Sequence, residues 1–231
     1  MNYAIILSGG IGSRMALDRP KQYVEIEGMP VISHCLATFS ANEHTDAIVV
    51  GLEPSWEEYV RQTVTRLNIR KPVYYAPAGE TRQYTIYHCL LRLREVGAGP
   101  ADTVIVHDAA RPLLSGRLID ACYQACLEAD GALPVLPVKD TIYYSADGQH
   151  IDRLMDRDKL WAGQAPEAFV FGKYLEAHEK TPREKLLAIK GSTEIAYQQG
   201  MKVKLIPGDP MNFKITTPED LSNFISILKN K

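Results

Sequence analysis

A doubly wound α/β fold, with a mainly parallel but mixed sheet covered by helices on both faces, is what this chain of 231 residues predicts. Apolar runs of strand length alternate with longer amphipathic stretches, and the runs are near-continuously apolar, as strands are when helices cover both faces of a sheet. A hydrophobic content of 45% against 23% charged residues supplies one sizeable core, so residues 1–231 are expected to form a single domain. Neither an internal repeat nor a linker interrupts the pattern.

The elements follow in order. YAIIL (3–7) is the first strand, and a glycine-rich turn leaves it. KQYVEIEGMP (21–30) reads as a short hairpin and 31–40 as a helix. AIVVG (47–51) is the next strand, and Ser55 to Glu58 has the S-x-x-E form of a capping box that opens a helix over 55–68. VYYA (73–76), a helix over 81–95, TVIVH (103–107), a helix over 116–129 and ALPVLPV (132–138) continue the alternation. Thr217-Pro218-Glu219-Asp220 places a cap, a first-turn proline and two acids ahead of the last helix. One segment breaks the rhythm: in 140–158 two short alternating runs flank Asp147-Gly148, a tight-hairpin signal, so this stretch is expected to project as an arm.

A formal net charge of -2 provides no general field for nucleic acid or an anionic membrane, so anionic ligands must be met by local groups of Lys and Arg. The four cysteines, Cys35, Cys89, Cys122 and Cys126, fall in helix-like segments without metal-ligand spacing, which points to buried thiols and a reducing compartment. Neither a basic leader before the first apolar run nor an apolar run near ~18 residues is found, so no membrane contact is expected and the cytoplasm is the expected location.

LSGGIGSRMALDRPKQY (7–23) sits where doubly wound folds bind nucleotides, directly after a strand. A P-loop needs G-x-x-x-x-G-K-[ST], but Gly12 is followed by Ser13-Arg14-Met15; a dinucleotide fingerprint needs a third glycine where Met15 stands. What remains is a turn of Leu7, Ser8, Gly9, Gly10 and Gly12 whose backbone N–H groups can approach a triphosphate, with Arg14 and Lys21 as cations at a spacing set by Pro20. Two cations converging on one phosphorus suit phosphoryl or nucleotidyl transfer, while the ordinary reading of the same side chains is solvated loop charge.

This G-x-G-x-R-M…P-K pattern resembles Rossmann-like nucleotidyltransferases of the glycosyltransferase-A type. Four further stretches resemble the family of methylerythritol 4-phosphate and ribitol 5-phosphate cytidylyltransferases, in family order across nearly the whole chain. They are Ala78-Gly79-Glu80-Thr81-Arg82 with Thr85, His107-Asp108-Ala109-Ala110-Arg111-Pro112, Val138-Lys139-Asp140-Thr141-Ile142 and Asn212-Phe213-Lys214-Ile215-Thr216-Thr217. Taken singly, each has an ordinary reading: a helix start, a salt bridge, a surface excursion and a polar turn.

The resemblance implies a CTP-dependent enzyme in which a polyol phosphate oxygen attacks the α-phosphorus in line, pyrophosphate leaves, and Mg2+ bridges phosphate oxygens. Arg14, Lys21 and Lys214 are the catalytic cations it implies; the glycine loop, Gly79, Glu80, Arg82, Thr85 and Asp108 are nucleotide-binding residues, Asp108 doubling as a metal ligand. Asp108, Arg111 and Thr141 would meet the polyol phosphate, and His107 receives no role. The arm over 140–158 would carry Arg157 to the site of a second copy, making a homodimer with shared sites.

The polyol is read from departures. Family members carry Q/L-T-P-Q after the arm, where this chain has Gln164-Ala165-Pro166-Glu167, and the family's T-D-[EA] segment is replaced by Gly191-Ser192-Thr193-Glu194. Ser192 or Thr193 is therefore expected to replace the hydroxyl absent at Ala165. Gly163-Gln164, Trp56 and Lys214-Ile215-Thr216-Thr217 resemble the ribitol enzymes, whereas Lys21-Gln22-Tyr23 and Asp108-Ala109-Ala110-Arg111-Pro112 resemble the methylerythritol ones. The expectation taken from them is ribitol 5-phosphate, for cell-envelope polymers, with 2-C-methyl-D-erythritol 4-phosphate of isoprenoid synthesis as the alternative. A nucleotide-sugar pyrophosphorylase shares only the opening loop, and a non-catalytic nucleotide-binding protein would have no need of Arg14, Lys21 and Lys214 together.

Overall fold

The computed structural model describes residues 1–10 and 19–230; Gly12 and Arg14 of the opening loop lie outside the described residues. The chain runs through β1 (Asn2–Leu7), β2 (Glu25–Ile26), β3 (Met29–Pro30), α1 (Val31–Ala41), β4 (Ala47–Leu52), α2 (Glu57–Arg66), β5 (Val73–Pro77) and α3 (Arg82–Glu95). It continues with β6 (Thr103–Asp108), α4 (Gly116–Ala125), β7 (Gly131–Pro137), β8 (Tyr143–Tyr144), β9 (Arg153–Leu154), β10 (Trp161–Gly163), β11 (Glu167–Val170), α5 (Phe171–Lys180), α6 (Arg183–Ala188), α7 (Ser192–Gln198), β12 (Val203–Pro207) and α8 (Pro218–Lys229).

Eight strands form one sheet in the order β10-β7-β11-β6-β1-β4-β5, with β12 added beside β7. β1, β4, β5 and β6 are mutually parallel, and only β10 and β11 run against the rest. The mixed sheet flanked by helices is the fold class the alternation predicted. Burial on both faces explains the continuous apolar runs: Ala4, Ile6, Ile48, Val50 and Ile105 pack with Ile32, Leu36, Phe39 and Ile119 on one side. Their neighbours Tyr3, Ile5, Val49, Val104 and Val106 pack with Ile86, Leu90, Leu93 and Tyr174 on the other. All four cysteines are buried free thiols, as expected.

Two local expectations are corrected. The box at Ser55 and Glu58 does not form, because Pro54–Trp56 makes a 3-10 turn and Trp56, which has no capping side-chain bond, becomes the N-cap of α2. The Asp147-Gly148 turn is not a two-residue hairpin: β8 and β9 are joined by a wider loop in which Asp147 accepts from the N–H groups of Gln149 and His150 and from the Ser145 hydroxyl. Thr217 and Asp220, in contrast, form the full reciprocal box that starts α8.

Candidate active site

The opening loop leaves β1 at the carboxyl edge of the parallel strands, and its first described residues, Ser8, Gly9 and Gly10, are held from behind. A Cβ on Gly9 would lie 2.6 Å from Ala78 Cβ, so only glycine lets this loop close on the segment that follows β5. Ser8 is 2% exposed and spends every polar group internally: its N–H donates to the Gly51 carbonyl at 2.7 Å, its hydroxyl to the Tyr23 oxygen at 2.8 Å. Its carbonyl accepts from Gln22 Nε2 at 2.8 Å and from the Tyr23 hydroxyl at 3.2 Å. The Ser8 N–H, expected to approach a triphosphate, is thus spent on Gly51, and Ser8 anchors the loop. Gln22 Nε2 also reaches the Gly10 carbonyl at 2.8 Å, and the Tyr23 ring stacks on Trp56 with centroids 4.3 Å apart. Lys21 opens the 3-10 turn that carries both residues, which puts it beside the loop.

A second loop faces the first. A Cβ on Gly79 would sit 2.4 Å from Tyr84 Cβ and 2.9 Å from Thr85 N, so glycine is required for the chain to fold onto the start of α3. Thr81 caps that helix by accepting from Tyr84 N–H. Thr85 is buried, accepts from Gly79 N–H at 2.9 Å and donates to the Thr81 carbonyl at 3.2 Å. Both Gly79 N–H and the Thr85 hydroxyl proton are thus used within the loop, against the expectation that they meet the nucleotide. Exposed Glu80 pairs with Arg183 of α6.

At the carboxyl end of β6, buried Asp108 gathers three cations: Lys214 Nζ at 3.0 Å, Arg82 at 3.2 Å and Arg111 Nε at 3.5 Å. Burial alone would raise the Asp108 pKa, but Arg82 and then Lys214 outweigh it and hold the carboxyl far below the usual carboxylate range. The carboxylate is what allows three like charges to sit in one place, since cations this close repel unless a counter-charge lies among them. Lys214 is more than 100 positions away in sequence, and the loop that carries it is tied down repeatedly. Ile215 N–H donates to the Ala110 carbonyl, Arg111 donates to the Asn212 carbonyl at 2.8 Å, and Asn212 Nδ2 donates to the Ala165 carbonyl at 2.7 Å. Gln164 and Asp209 exchange two further hydrogen bonds, at 3.1 and 3.0 Å. His107 is fully buried with its pKa lowered by burial to about 4, a core histidine as expected.

The hydroxyls expected to replace the one absent at Ala165 are turned elsewhere. Ser192 Oγ donates to Glu167 Oε1 at 2.8 Å and accepts from Arg82; Thr193 donates to Glu167 Oε2 from N–H at 2.9 Å and from its hydroxyl at 2.6 Å. Ser192 is completely buried, so the expectation that it faces the polyol is corrected: both side chains serve Glu167. Ala165 is itself buried and joined to Pro166 by a cis peptide bond.

Arg157 and Thr141 lie on the exposed arm, with Arg157 donating to the Lys139 carbonyl at 2.9 Å. Tyr143, Tyr144, Ile151, Leu154 and Trp161 are all exposed on or beside the same arm. Among the described residues no group of three or more His, Cys, Asp or Glu is placed to hold a metal ion. Both Asp108 oxygens face cationic side chains, so Asp108 fits a magnesium ion, which draws its other oxygens from phosphate and water, only once a bound phosphate has drawn Lys214 and Arg111 away.

Sequence reasoning found Arg82, Asp108, Arg111 and Lys214, which the fold does bring together. It missed Gln22, Tyr23 and Glu167. Only Glu167 carried a signal, the acid that stands where the family pattern has glutamine.

The geometry can be set beside known proteins. The model of the family described as 2-C-methyl-D-erythritol 4-phosphate cytidylyltransferase matches residues 2–230. The protein of that name from Pelotomaculum thermopropionicum is 37% identical over 227 residues, covering 98% of this chain and 93% of the relative. Its namesake from Geobacillus thermodenitrificans is 35% identical and covers 100% of this chain and 99% of the relative. A crystal structure described as 4-diphosphocytidyl-2C-methyl-D-erythritol synthase superposes with a TM-score of 0.81 at 29% identity, covering 98% of both chains.

Proposed function

The chain belongs to the 2-C-methyl-D-erythritol 4-phosphate cytidylyltransferase family, which makes it a CTP-dependent nucleotidyltransferase, and we propose that it transfers CMP from CTP to 2-C-methyl-D-erythritol 4-phosphate with release of pyrophosphate. The names carried by the full-length relatives support this polyol and give no support to the ribitol 5-phosphate expected from Trp56 and the Lys214 segment. The observation that carries the reading is the cluster at Asp108, where Arg82, Arg111 and Lys214 converge at the strand edge beside the glycine loop.

In the proposed reaction a phosphate oxygen of the polyol forms the new bond to the α-phosphorus while the bond to pyrophosphate breaks. The attacking phosphate is already ionised at neutral pH, so no side chain need remove a proton. Lys21 and Arg14 neutralise the charge around the phosphorus, and Lys214 with Arg111 holds the polyol phosphate in line. Asp108 keeps those cations in place before the ligand arrives and yields them when a phosphate takes over as counter-charge. A divalent cation, magnesium in this reading, would be held by Asp108 and would supply further neutralisation of the triphosphate oxygens. The arm over 140–158 is proposed to seat on a second copy, with the exposed aromatic and aliphatic side chains as its contact and Arg157 of the partner subunit completing each site. The proposed location is the cytoplasm, where such a phosphorylated polyol and CTP would meet. No helix among the described residues is long and apolar enough to cross a membrane.

A pyrophosphate-release assay with CTP, Mg2+ and either 2-C-methyl-D-erythritol 4-phosphate or ribitol 5-phosphate tests the reading. Release with the first and not the second is expected; faster turnover of ribitol 5-phosphate would overturn the choice of polyol.

A further inference from the structure

Glu167 begins β11, which pairs antiparallel with β6 so that Glu167 stands opposite Val106, next to the strand end that carries Asp108. It is 8% exposed and every group around its carboxylate is a donor. Oε1 accepts from the Ser192 hydroxyl at 2.8 Å and faces an Arg82 nitrogen at 3.5 Å, while Oε2 accepts both donors of Thr193. The Ser192 hydroxyl in turn accepts from a second Arg82 nitrogen, so Glu167 grips the guanidinium directly and through a one-residue relay. On its other side Arg82 meets Asp108, with Nε at 3.2 Å from Oδ1. The guanidinium is therefore suspended between two carboxylates, and its side chain keeps 28% exposure, which leaves it open to a ligand.

We propose that Glu167 is a positioning residue for the nucleotide: it sets the orientation of Arg82 through the direct pair and the Ser192 relay, and so tunes the affinity for CTP. This rests on the reading that Arg82 meets the nucleotide. A glutamine cannot stand in. Its amide has one acceptor and one donor end, and Thr193 N–H, which can only donate, claims the acceptor; the NH2 then turns toward the Arg82 nitrogen, where two donors oppose each other. Without the second carboxylate the guanidinium is drawn wholly to Asp108, and its geometry toward a ligand changes. The replacement of T-D-[EA] by Gly191-Ser192-Thr193-Glu194 fits the same account, since a hydroxyl pair suits a carboxylate at position 167.

The test is a double-mutant cycle read on CTP affinity by calorimetry, with no polyol phosphate present, so that an error in the proposed polyol leaves it intact. Glu167→Gln is expected to weaken CTP binding about tenfold, the scale of one charge-assisted hydrogen bond. In an Arg82→Ala background the same change should have less than about a twofold effect, because its route to the ligand is gone. Thr193→Val, which removes a donor from the far oxygen only, should leave CTP affinity within about twofold of the parent. A tenfold loss that persists in the Arg82→Ala background, or parental affinity in Glu167→Gln, overturns the proposal. Thermal melting confirms that each variant folds. If Glu167→Gln does not, Ser192→Ala breaks the relay and takes its place in the cycle: a loss of CTP affinity that vanishes with Arg82 supports the proposal, and parental affinity or a loss that persists overturns it.

Discussion

One amide nitrogen of Gln22 donates to the carbonyls of both Ser8 and Gly10, at 2.8 Å each, and so ties down two turns of the glycine loop from a buried position. Fixing those carbonyls toward the protein sets the backbone over Ser8, Gly9 and Gly10 before any ligand arrives. Gln22→Glu removes the donor and turns a carboxylate on two carbonyl oxygens. The expected result is a loss of about 2 kcal/mol or more in urea denaturation, together with reduced kcat/KM. Unchanged stability would show that the loop does not depend on this bond pair.

The cations proposed to face the phosphates should differ in how far their removal reaches beyond turnover. Lys21→Ala and Arg14→Ala are each expected to lower kcat by roughly two to three orders of magnitude. Lys214→Ala should raise KM for the polyol phosphate and also destabilise the site, since Asp108 loses a partner at 3.0 Å. Steady-state pyrophosphate release read beside thermal melts separates these effects.

Two buried histidines predict a pH response of stability. Burial lowers the pKa of His107 and of His178 to about 4, below the value of about 6.5 in an unfolded chain. Between those limits the unfolded state binds protons that the folded state refuses, so stability should fall as pH drops from about 6.5 toward 4. Urea titrations across this window should show uptake of up to roughly two protons on unfolding, falling by about one in His178→Gln. A pH-independent stability over the window would contradict the burial of both rings.

Shared sites can be detected by mixing. Lys21→Ala and Arg157→Ala should each be nearly inactive alone. After unfolding and refolding together in equal amounts, half of the dimers would be mixed, each with one intact site, and activity should recover to about a quarter of the parent's. No recovery, with dimers seen in sedimentation, would place Arg157 outside the neighbouring site.

The parallel strands were legible because burial on both faces leaves an unbroken apolar run, as in Ala47–Leu52. The edge of the sheet was not. Trp161–Gly163 is only three residues long and Lys204 interrupts Val203–Pro207, so neither makes an unbroken apolar run of strand length, and their strand character comes from pairing with β7. The cations of the site were legible from motif and order, because the stretches that carry them stand in family order along the chain, although each charge alone has an ordinary reading. The hydroxyls of Thr85, Ser192 and Thr193, expected to meet ligand, are turned inward for a physical reason. A hydroxyl satisfies itself with the nearest backbone or carboxylate partner, and which partner is near depends on segments distant in sequence, such as Glu167 against Ser192.

Trp56, stacked on the Tyr23 ring that holds Ser8, and Trp161, exposed on the strand beside the arm, are the chain's 2 tryptophans. The molecule thus carries two native optical reporters. Emission from Trp56 would report a triphosphate entering as proposed, and emission from Trp161 would report a second copy seated on the arm. Single-tryptophan forms would let nucleotide binding and subunit association be timed separately in one protein without an added dye.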